Sequence, residues 1–154
     1  MVRSKAFSLV EVLIVVVILG VLAAIVVPRF ASASDDAKTS AALSTVAGVR
    51  SAIATYRTSA VIQGNDPYPT LSELTDGSVI KFDLPLNPFS GVGGIQSVSE
   101  SQAQARGVSN ASTTGWNYFV DNSASPPAAI FYLNSVVETT ASDGNGGTLT
   151  ANEL

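Results

Sequence analysis

Apolar and polar positions are unevenly distributed along this 154-residue chain. The segment 7–27 is built from Val, Leu, Ile and Ala and is interrupted only by Ser8, Glu11 and Gly20. Toward the C-terminus, Ser, Thr, Asn, Gly and Pro become frequent. This separation predicts an anchoring or packing helix joined to a water-exposed head.

The segment 7–27 is long enough to cross a membrane. At about 1.5 Å per residue, a helix of this length spans the roughly 30 Å hydrocarbon core of a bilayer. Arg3 and Lys5 precede the segment, so the positive-inside tendency places the N-terminus in the cytoplasm and most of the chain outside. Glu11 is unusual there, because a charge in hydrocarbon is costly and needs a partner.

A second helical pattern follows Pro28. Proline lacks an N–H donor and clashes with the preceding turn, so we expect a kink there. Beyond it, one helical face carries Leu43, Val46, Val49, Ile53 and Tyr56. The pattern predicts a single helix from about Phe7 to about Tyr56, bent near Pro28, whose outer half over residues 28–57 is amphipathic.

Residues 58–154 predict a loop-rich head with a short helix and a few strands. Thr70-Leu-Ser-Glu73 has the spacing of a capping box. The segments 116–120 and 129–133 are rich in aromatic and β-branched residues and predict an antiparallel pair, which needs further packing to be stable. Residues 92–115 predict a long loop. The fold class is therefore α+β, a long helix packed on a small antiparallel sheet.

Composition excludes several chemistries. The chain has no Cys and no His, which excludes disulfides, thiol nucleophiles and imidazole acid–base catalysis. It contains no phosphate-binding glycine motif and no serine elbow, so we predict that it is not an enzyme. Twelve Asp and Glu against eight Lys and Arg argue against nucleic-acid binding by the isolated subunit.

The stretch from Ala6 to Val15 reads Ala-Phe-Ser-Leu-Val-Glu-Val-Leu-Ile-Val. It resembles the cleavage and methylation motif of type IV prepilins and type II secretion pseudopilins. The resemblance implies a pilin-like fold and a prepilin peptidase that removes the leader 1–6 between Ala6 and Phe7, followed by N-methylation of Phe7. The residue before the cut is usually Gly in this family, and this chain has Ala6.

The resemblance also gives roles to three residues inside the helix. Glu11 falls on the family glutamate at the fifth position of the mature chain, while Gly20 and Pro28 match positions where the helix is weakened. Cleavage frees an ammonium group at Phe7, about one turn from Glu11. That ammonium, in the same chain or in a neighbouring copy, is the partner predicted for the carboxylate.

The family implies partners and a location. A subunit of this kind rests in the bacterial inner membrane, is extracted by a platform protein and an assembly ATPase, and joins a helical homo-oligomeric filament in the periplasm or at the cell surface. The segment 7–27 forms the filament core, and the head forms the outer surface.

The C-terminal stretch 142–148 allows two interpretations. Asp143 and Asn145 place oxygen donors at alternate positions, and the stretch is similar to the calcium-binding loop of major pseudopilins. Asp-Gly and Asn-Gly are also common turn sequences, and two side chains supply little of a calcium coordination sphere. We predict a turn, with a Ca²⁺ site as the alternative.

Three functions remain open. Many type IVa pilins have a C-terminal cysteine pair, which this chain lacks, and the Leu84-Pro-Leu-Asn-Pro88 segment resembles the head of major pseudopilins. Both features favour a type II secretion pseudopilin that drives protein export. The alternative is a type IV pilin for adhesion, twitching motility or DNA uptake. A rival of another class is a soluble secreted protein released after Ala33, because Ala31-Ser-Ala33 matches a signal-peptidase pattern. A plain membrane anchor leaves Glu11 unexplained.

Overall fold

The structure is a computed structural model that describes residues 7–154. Two compact units divide the chain, one ending at Asp35 and the other formed by Asp36–Leu154. One helix, α1 (Leu9–Gln63), supplies residues to both units. Ala6, the residue predicted to precede the cleavage site, lies outside the described residues.

In the first unit, α1 exposes its apolar side chains around its whole circumference. Every large apolar side chain described between Phe7 and Phe30 is exposed to solvent. By length and composition alone, α1 is the one helix among residues 7–154 that can cross a membrane. The helix continues through Pro28, and the Ser32 hydroxyl donates a hydrogen bond to the Pro28 carbonyl at 3.3 Å. The bend at Pro28 stays a prediction.

The second unit contains the rest of the secondary structure. Its elements after α1 are α2 (Leu71–Thr75), β1 (Ile95–Ser97), α3 (Glu100–Gln104), β2 (Trp116–Asp121), β3 (Ala128–Leu133), β4 (Glu138–Ser142), β5 (Thr148–Thr150) and a 3-10 turn (Ala151–Glu153). In the larger sheet, β2 lies between β1 and β3, parallel to β1 and antiparallel to β3. The α+β fold and the predicted strand pair are confirmed, with a mixed sheet rather than a purely antiparallel one. Strands β4 and β5 form a separate antiparallel pair.

The core of the second unit joins one face of α1 to the sheet. It contains Ala42, Val46, Val49 and Ile53 of the helix and Trp116, Tyr118, Phe131 and Leu133 of the strands. The rings of Trp116 and Phe131 stack with centroids 5.4 Å apart. Val46, Val49 and Ile53 of the predicted face are therefore confirmed, and Tyr56 packs partly buried against them.

Leu43 was predicted to face the core, and this is wrong. Its side chain is 44% exposed, whereas the neighbouring Ala42 is fully buried. Adjacent helical positions differ by about 100° around the axis. The small Ala42 therefore allows α1 to approach the sheet closely, and Leu43 is turned toward solvent.

Helix α1 also ends later than predicted, at Gln63 rather than near Tyr56. Gly64 adopts a left-handed φ of 75° and donates to the Val61 carbonyl at 3.2 Å, while the Asn65 N–H donates to the Ala60 carbonyl at 2.9 Å. This pair of bonds is a Schellman motif, which requires a residue such as Gly at positive φ. Gly64 was the stop signal in the sequence.

Helix α2 begins as predicted. Thr70 Oγ1 accepts a hydrogen bond from the Glu73 N–H at 3.3 Å, and Glu73 Oε2 accepts one from the Thr70 N–H at 2.8 Å. These reciprocal bonds form the predicted capping box.

The segment 92–115 is not the long loop that its composition predicted. It contains β1 and α3, and α3 begins with a second capping box formed by Ser99 and Gln102. Gly115 approaches Val92 so closely that a Cβ atom there would lie 2.1 Å from the Val92 carbonyl oxygen. Backbone contacts, polar side chains and a small hydrophobic cluster that joins Val98 and Ala103 to Tyr132 of β3 order this segment.

A buried amide network anchors the end of that segment to the sheet. Asn134 Oδ1 accepts from the Ser109 N–H and from Asn117 Nδ2, both at 3.1 Å. Asn134 Nδ2 donates to the Ser109 carbonyl at 2.6 Å and to the Thr114 carbonyl at 2.8 Å. One fully buried side chain thus satisfies four polar groups from three parts of the chain.

We expect Asn134→Ala to lower the free energy of unfolding by about 2 kcal/mol or more, because it leaves several buried polar groups without partners. Asn145→Ala is the matched control, since Asn145 is exposed and its side chain makes no described hydrogen bond. Denaturant unfolding of the full chain in detergent, followed by the fluorescence of the single tryptophan, measures both. Equal stabilities for the two variants would contradict the anchoring role.

Candidate assembly site

The first turn of α1 gives Glu11 a partner within its own helix. Ser8 directly precedes the helix, and its N–H donates to Glu11 Oε2 at 2.7 Å. The Glu11 N–H donates in return to Ser8 Oγ at 3.2 Å. These two bonds form a capping box, and a carboxylate in the first turn also interacts favourably with the helix dipole. The spacing Ser8-Leu-Val-Glu11 carried this signal, which the sequence analysis missed.

The capping box leaves half of the Glu11 carboxylate open. Among residues 7–154, no hydrogen bond reaches Glu11 Oε1. A carboxylate oxygen is an acceptor only, so Oε1 suits an ammonium group or another N–H donor. The pairing of Glu11 with a Phe7 ammonium stays a prediction, and the described geometry is compatible with it.

Gly20 and Pro28 both lie within α1. A Cβ atom on Gly20 would have no heavy atom within 4 Å, so no packing contact in the described chain accounts for a glycine there. Glycine is a poor helix former, costing about 1 kcal/mol relative to alanine, and proline is poorer still. Their role as helix-weakening positions stays a prediction.

Asp143 closes the turn between β4 and β5. Its Oδ1 accepts hydrogen bonds from the N–H groups of Asn145 at 2.7 Å and Gly147 at 2.9 Å. Gly144 and Gly146 adopt φ values of 80° and 95°, which strongly favour glycine. The hydrogen bonds from Asn145 and Gly147 lower the pKa of the Asp143 carboxyl. The geometry is that of a side-chain-stabilised turn.

The described donors around Asp143 and Asn145 do not fit a calcium site. Calcium takes about six to eight oxygen ligands, whereas this turn offers one carboxylate that already accepts two N–H groups and one amide. Within residues 7–154, no group of three or more His, Cys, Asp and Glu side chains is arranged to hold a metal. Calcium binding stays a prediction without support from this geometry.

We expect the turn to make stability depend on pH through Asp143. Because its folded pKa is lowered, its contribution is present above the unfolded value of about 3.9 and is lost as the pH falls through the folded value. Asp143→Asn should therefore be less stable than wild type at pH 6, with the gap closing toward about pH 2.

Denaturant unfolding across this pH range measures that gap. Asp66→Asn is the matched control, because it removes one charge from a carboxylate that makes no described hydrogen bond. A gap between wild type and Asp143→Asn that stayed constant with pH would contradict the role of the ionised carboxylate.

Comparison with known proteins finds a family match at the N-terminus. Residues 1–27 match the model of the prokaryotic N-terminal methylation motif. The type IV narrow pilus major component PilA5 of Thermus thermophilus is 50% identical over 52 residues, which cover 34% of this chain and 45% of that protein. No solved structure matches this chain.

Type II secretion system core protein G is also similar. The protein of Pseudomonas aeruginosa is 40% identical over 55 residues, covering 36% of this chain and 39% of that protein. The protein of Dickeya chrysanthemi is 33% identical over 86 residues, covering 56% of this chain and 53% of that protein.

The matched segments span about half the length of these curated relatives or less. The predicted methylation motif is confirmed, and so is the resemblance to type IV pilins and type II secretion pseudopilins. The relatives are components of pili and of secretion systems, and the comparison does not separate these two groups.

Proposed function

We propose that this chain is a structural subunit that polymerises into a filament of the type IV class. The observation that carries the proposal is the exposed apolar surface of α1 between Phe7 and Phe30, most of which lies within the methylation motif matched over residues 1–27. A surface of this size requires lipid or other copies of the helix around it. A subunit that moves from membrane to filament is surrounded first by lipid and then by other copies of the helix.

The proposed mechanism follows the order of the chain. Prepilin peptidase cuts between Ala6 and Phe7, and the segment 7–27 holds the subunit in the inner membrane. A platform protein and an ATPase extract it into the growing filament, where apolar side chains exchange lipid for neighbouring helices. Because lipid tails and apolar side chains are similarly apolar, this exchange needs a further specific interaction. Glu11 Oε1 paired with a Phe7 ammonium of a neighbouring copy supplies it.

We favour a type II secretion pseudopilin over a surface pilin. Two of the three alignments to core protein G, over 79 and 86 residues, are longer than the 55-residue helix α1 and therefore include part of the head, whereas the third covers 55 residues. The alignment to the pilus component, over 52 residues, is short enough to lie within a single helix. Its higher identity of 50% keeps a type IV pilin as the second candidate.

Secretion of a soluble protein after Ala33 is the rival of another class. Such a cut would leave residues 36–154, and with them the described core, intact. The match of residues 1–27 to the methylation motif favours the cut before Phe7 instead.

Mass spectrometry of the N-terminus of the protein from its native host tests the processing step. We expect a chain that begins at N-methylated Phe7. Ala6→Gly is the matched variant, and it should give the same N-terminus with at least equal yield. A chain beginning at Ser34 would contradict the filament proposal and support secretion. A chain beginning at Met1 would also contradict it and would support a plain membrane anchor.

Electron microscopy of sheared surface material at native expression levels tests the choice between pseudopilus and pilus. We expect no long fibres containing this subunit, together with loss of protein export when its gene is deleted. Abundant long surface fibres with export unchanged would support the pilin candidate and contradict the pseudopilin.

Substitutions of Glu11 and Ser8 separate helix capping from charge pairing. Glu11→Gln keeps a capping-box acceptor but removes the charge, so we expect filament yield to fall by at least about tenfold. Ser8→Ala removes the hydroxyl cap but keeps the charge, and we expect a smaller loss. Immunoblotting of chemically cross-linked cells, which separates assembled multimers from monomer, measures both, and normal assembly of Glu11→Gln would rule out the ion pair.

A further inference from the structure

Three arginine side chains line one groove of the second unit. Arg50 and Arg57 lie on α1, and Arg106 follows α3. The groove has a volume of about 340 Å³, and its other lining residues are Ile53, Ala54, Tyr68, Ala129, Ile130 and Phe131. No Asp or Glu is among them. The groove therefore combines a cationic rim with a largely apolar floor.

This concentration of positive charge stands out against the rest of the unit. Residues 36–154 contain ten Asp and Glu and five Lys and Arg, the latter being Lys38, Arg50, Arg57, Lys81 and Arg106. Three of those five cations line the same groove. An anion that approaches this acidic unit meets favourable potential mainly there.

Arg50 is held in place at the cost of some desolvation. Its Nη2 donates to the Phe131 carbonyl at 3.2 Å and to a backbone oxygen of Leu154 at 2.9 Å. Partial burial and the nearby Arg106 both lower the pKa of the Arg50 guanidinium. Two neighbouring guanidinium groups repel each other, and a bound anion would relieve that repulsion.

Aromatic rings orient the other two guanidinium groups. Arg57 lies over the ring of Tyr68 at 4.9 Å, and Arg106 lies over the ring of Tyr132 at 5.4 Å. The attraction of each guanidinium to a ring face restricts its position without using its N–H donors in hydrogen bonds.

Few of these N–H groups are used within the chain. Arg57 donates no hydrogen bond to any of residues 7–154, and Arg106 donates only a long bond of 3.4 Å to the Asn152 carbonyl. Hydrogen bonds from Thr150 chiefly lower the pKa of the Glu153 carboxyl, and the charge of Arg106 lowers it further, so Glu153 offsets part of that charge. Each guanidinium has five donors, so most of the donors around the groove remain for a ligand.

We propose that this groove is a binding site for an oxyanion, a carboxylate or a phosphate group, held between Arg50, Arg57 and Arg106. The apolar floor accommodates a small organic body attached to that group. The oxyanion is supplied either by a free small molecule or by an acidic side chain of a second copy of this chain. The proposal does not depend on the proposed filament function.

Calorimetric titration of the full chain in an uncharged detergent at low ionic strength tests the site, with inorganic phosphate and citrate as probes. We expect saturable binding of at least one probe. Arg57→Ala should weaken it about tenfold, which corresponds to about 1.4 kcal/mol, because the variant removes a charge-assisted hydrogen bond. Arg57→Lys should weaken it less, since it keeps the charge but loses the fork of donors.

Arg106→Asn tests the second cation without straining the backbone, because Arg106 has a φ of 50° and asparagine tolerates positive φ. It should also weaken binding about tenfold. Lys81→Ala is the matched control, because Lys81 is a cation of the same unit outside the groove, and it should bind as wild type does. The proposal is overturned if neither probe saturates, or if Arg57→Ala and Arg106→Asn, with unchanged tryptophan-monitored stability, bind as tightly as Lys81→Ala.

Sedimentation of the same samples identifies the source of the oxyanion. If a second copy supplies it, both phosphate and Arg57→Ala should reduce self-association of the wild-type chain. If a free anion supplies it, phosphate should bind while self-association stays unchanged.

Discussion

The apolar surface of the first half of α1 is the constraint on which the account of this protein depends. Between Phe7 and Phe30, side chains that would form the core of another protein are exposed in every direction around the helix. An isolated helix of this kind is not stable in water, because the apolar area has no cover. Under the proposed function, lipid provides that cover first and neighbouring copies of the helix provide it after assembly.

We propose that Glu11 sets the register in which this apolar surface packs against a neighbouring copy. Its Oε2 is used within the helix by Ser8, while no described hydrogen bond reaches Oε1. The same residue can therefore fix the helix start and still offer charge to a second chain. Apolar packing alone is nearly indifferent to sliding along the helix, whereas one buried ion pair favours a single register. Under the proposed function, the Glu11 carboxylate thus has one partner within its own helix and a second in a neighbouring copy.

Local signals in the sequence predicted much of the fold. The long helix, the Thr70 capping box and the two central strands follow from periodicity and short-range chemistry. The errors have physical causes. Composition suggested a loop at 92–115 because amide networks such as that of Asn134 leave no hydrophobic pattern. The arginine groove brings Arg50 and Arg57 of α1 together with Arg106, which lies about fifty positions later and which no local pattern connects to them. The Ser8 capping box could have been predicted from the Ser8-Leu-Val-Glu11 spacing, but Glu11 was interpreted only as a charge that needs a partner.

The most direct test of the central claim is the accessibility of the helix surface. Because the chain has no cysteine, Val16→Cys and Ser142→Cys each introduce a single reactive probe, the second in the head as a control. Labelling with a membrane-impermeant maleimide should be fast for Ser142→Cys and nearly absent for Val16→Cys, both in membranes and in assembled filaments. If Val16→Cys reacts as fast as Ser142→Cys in both samples, the helix is not covered and the account is wrong.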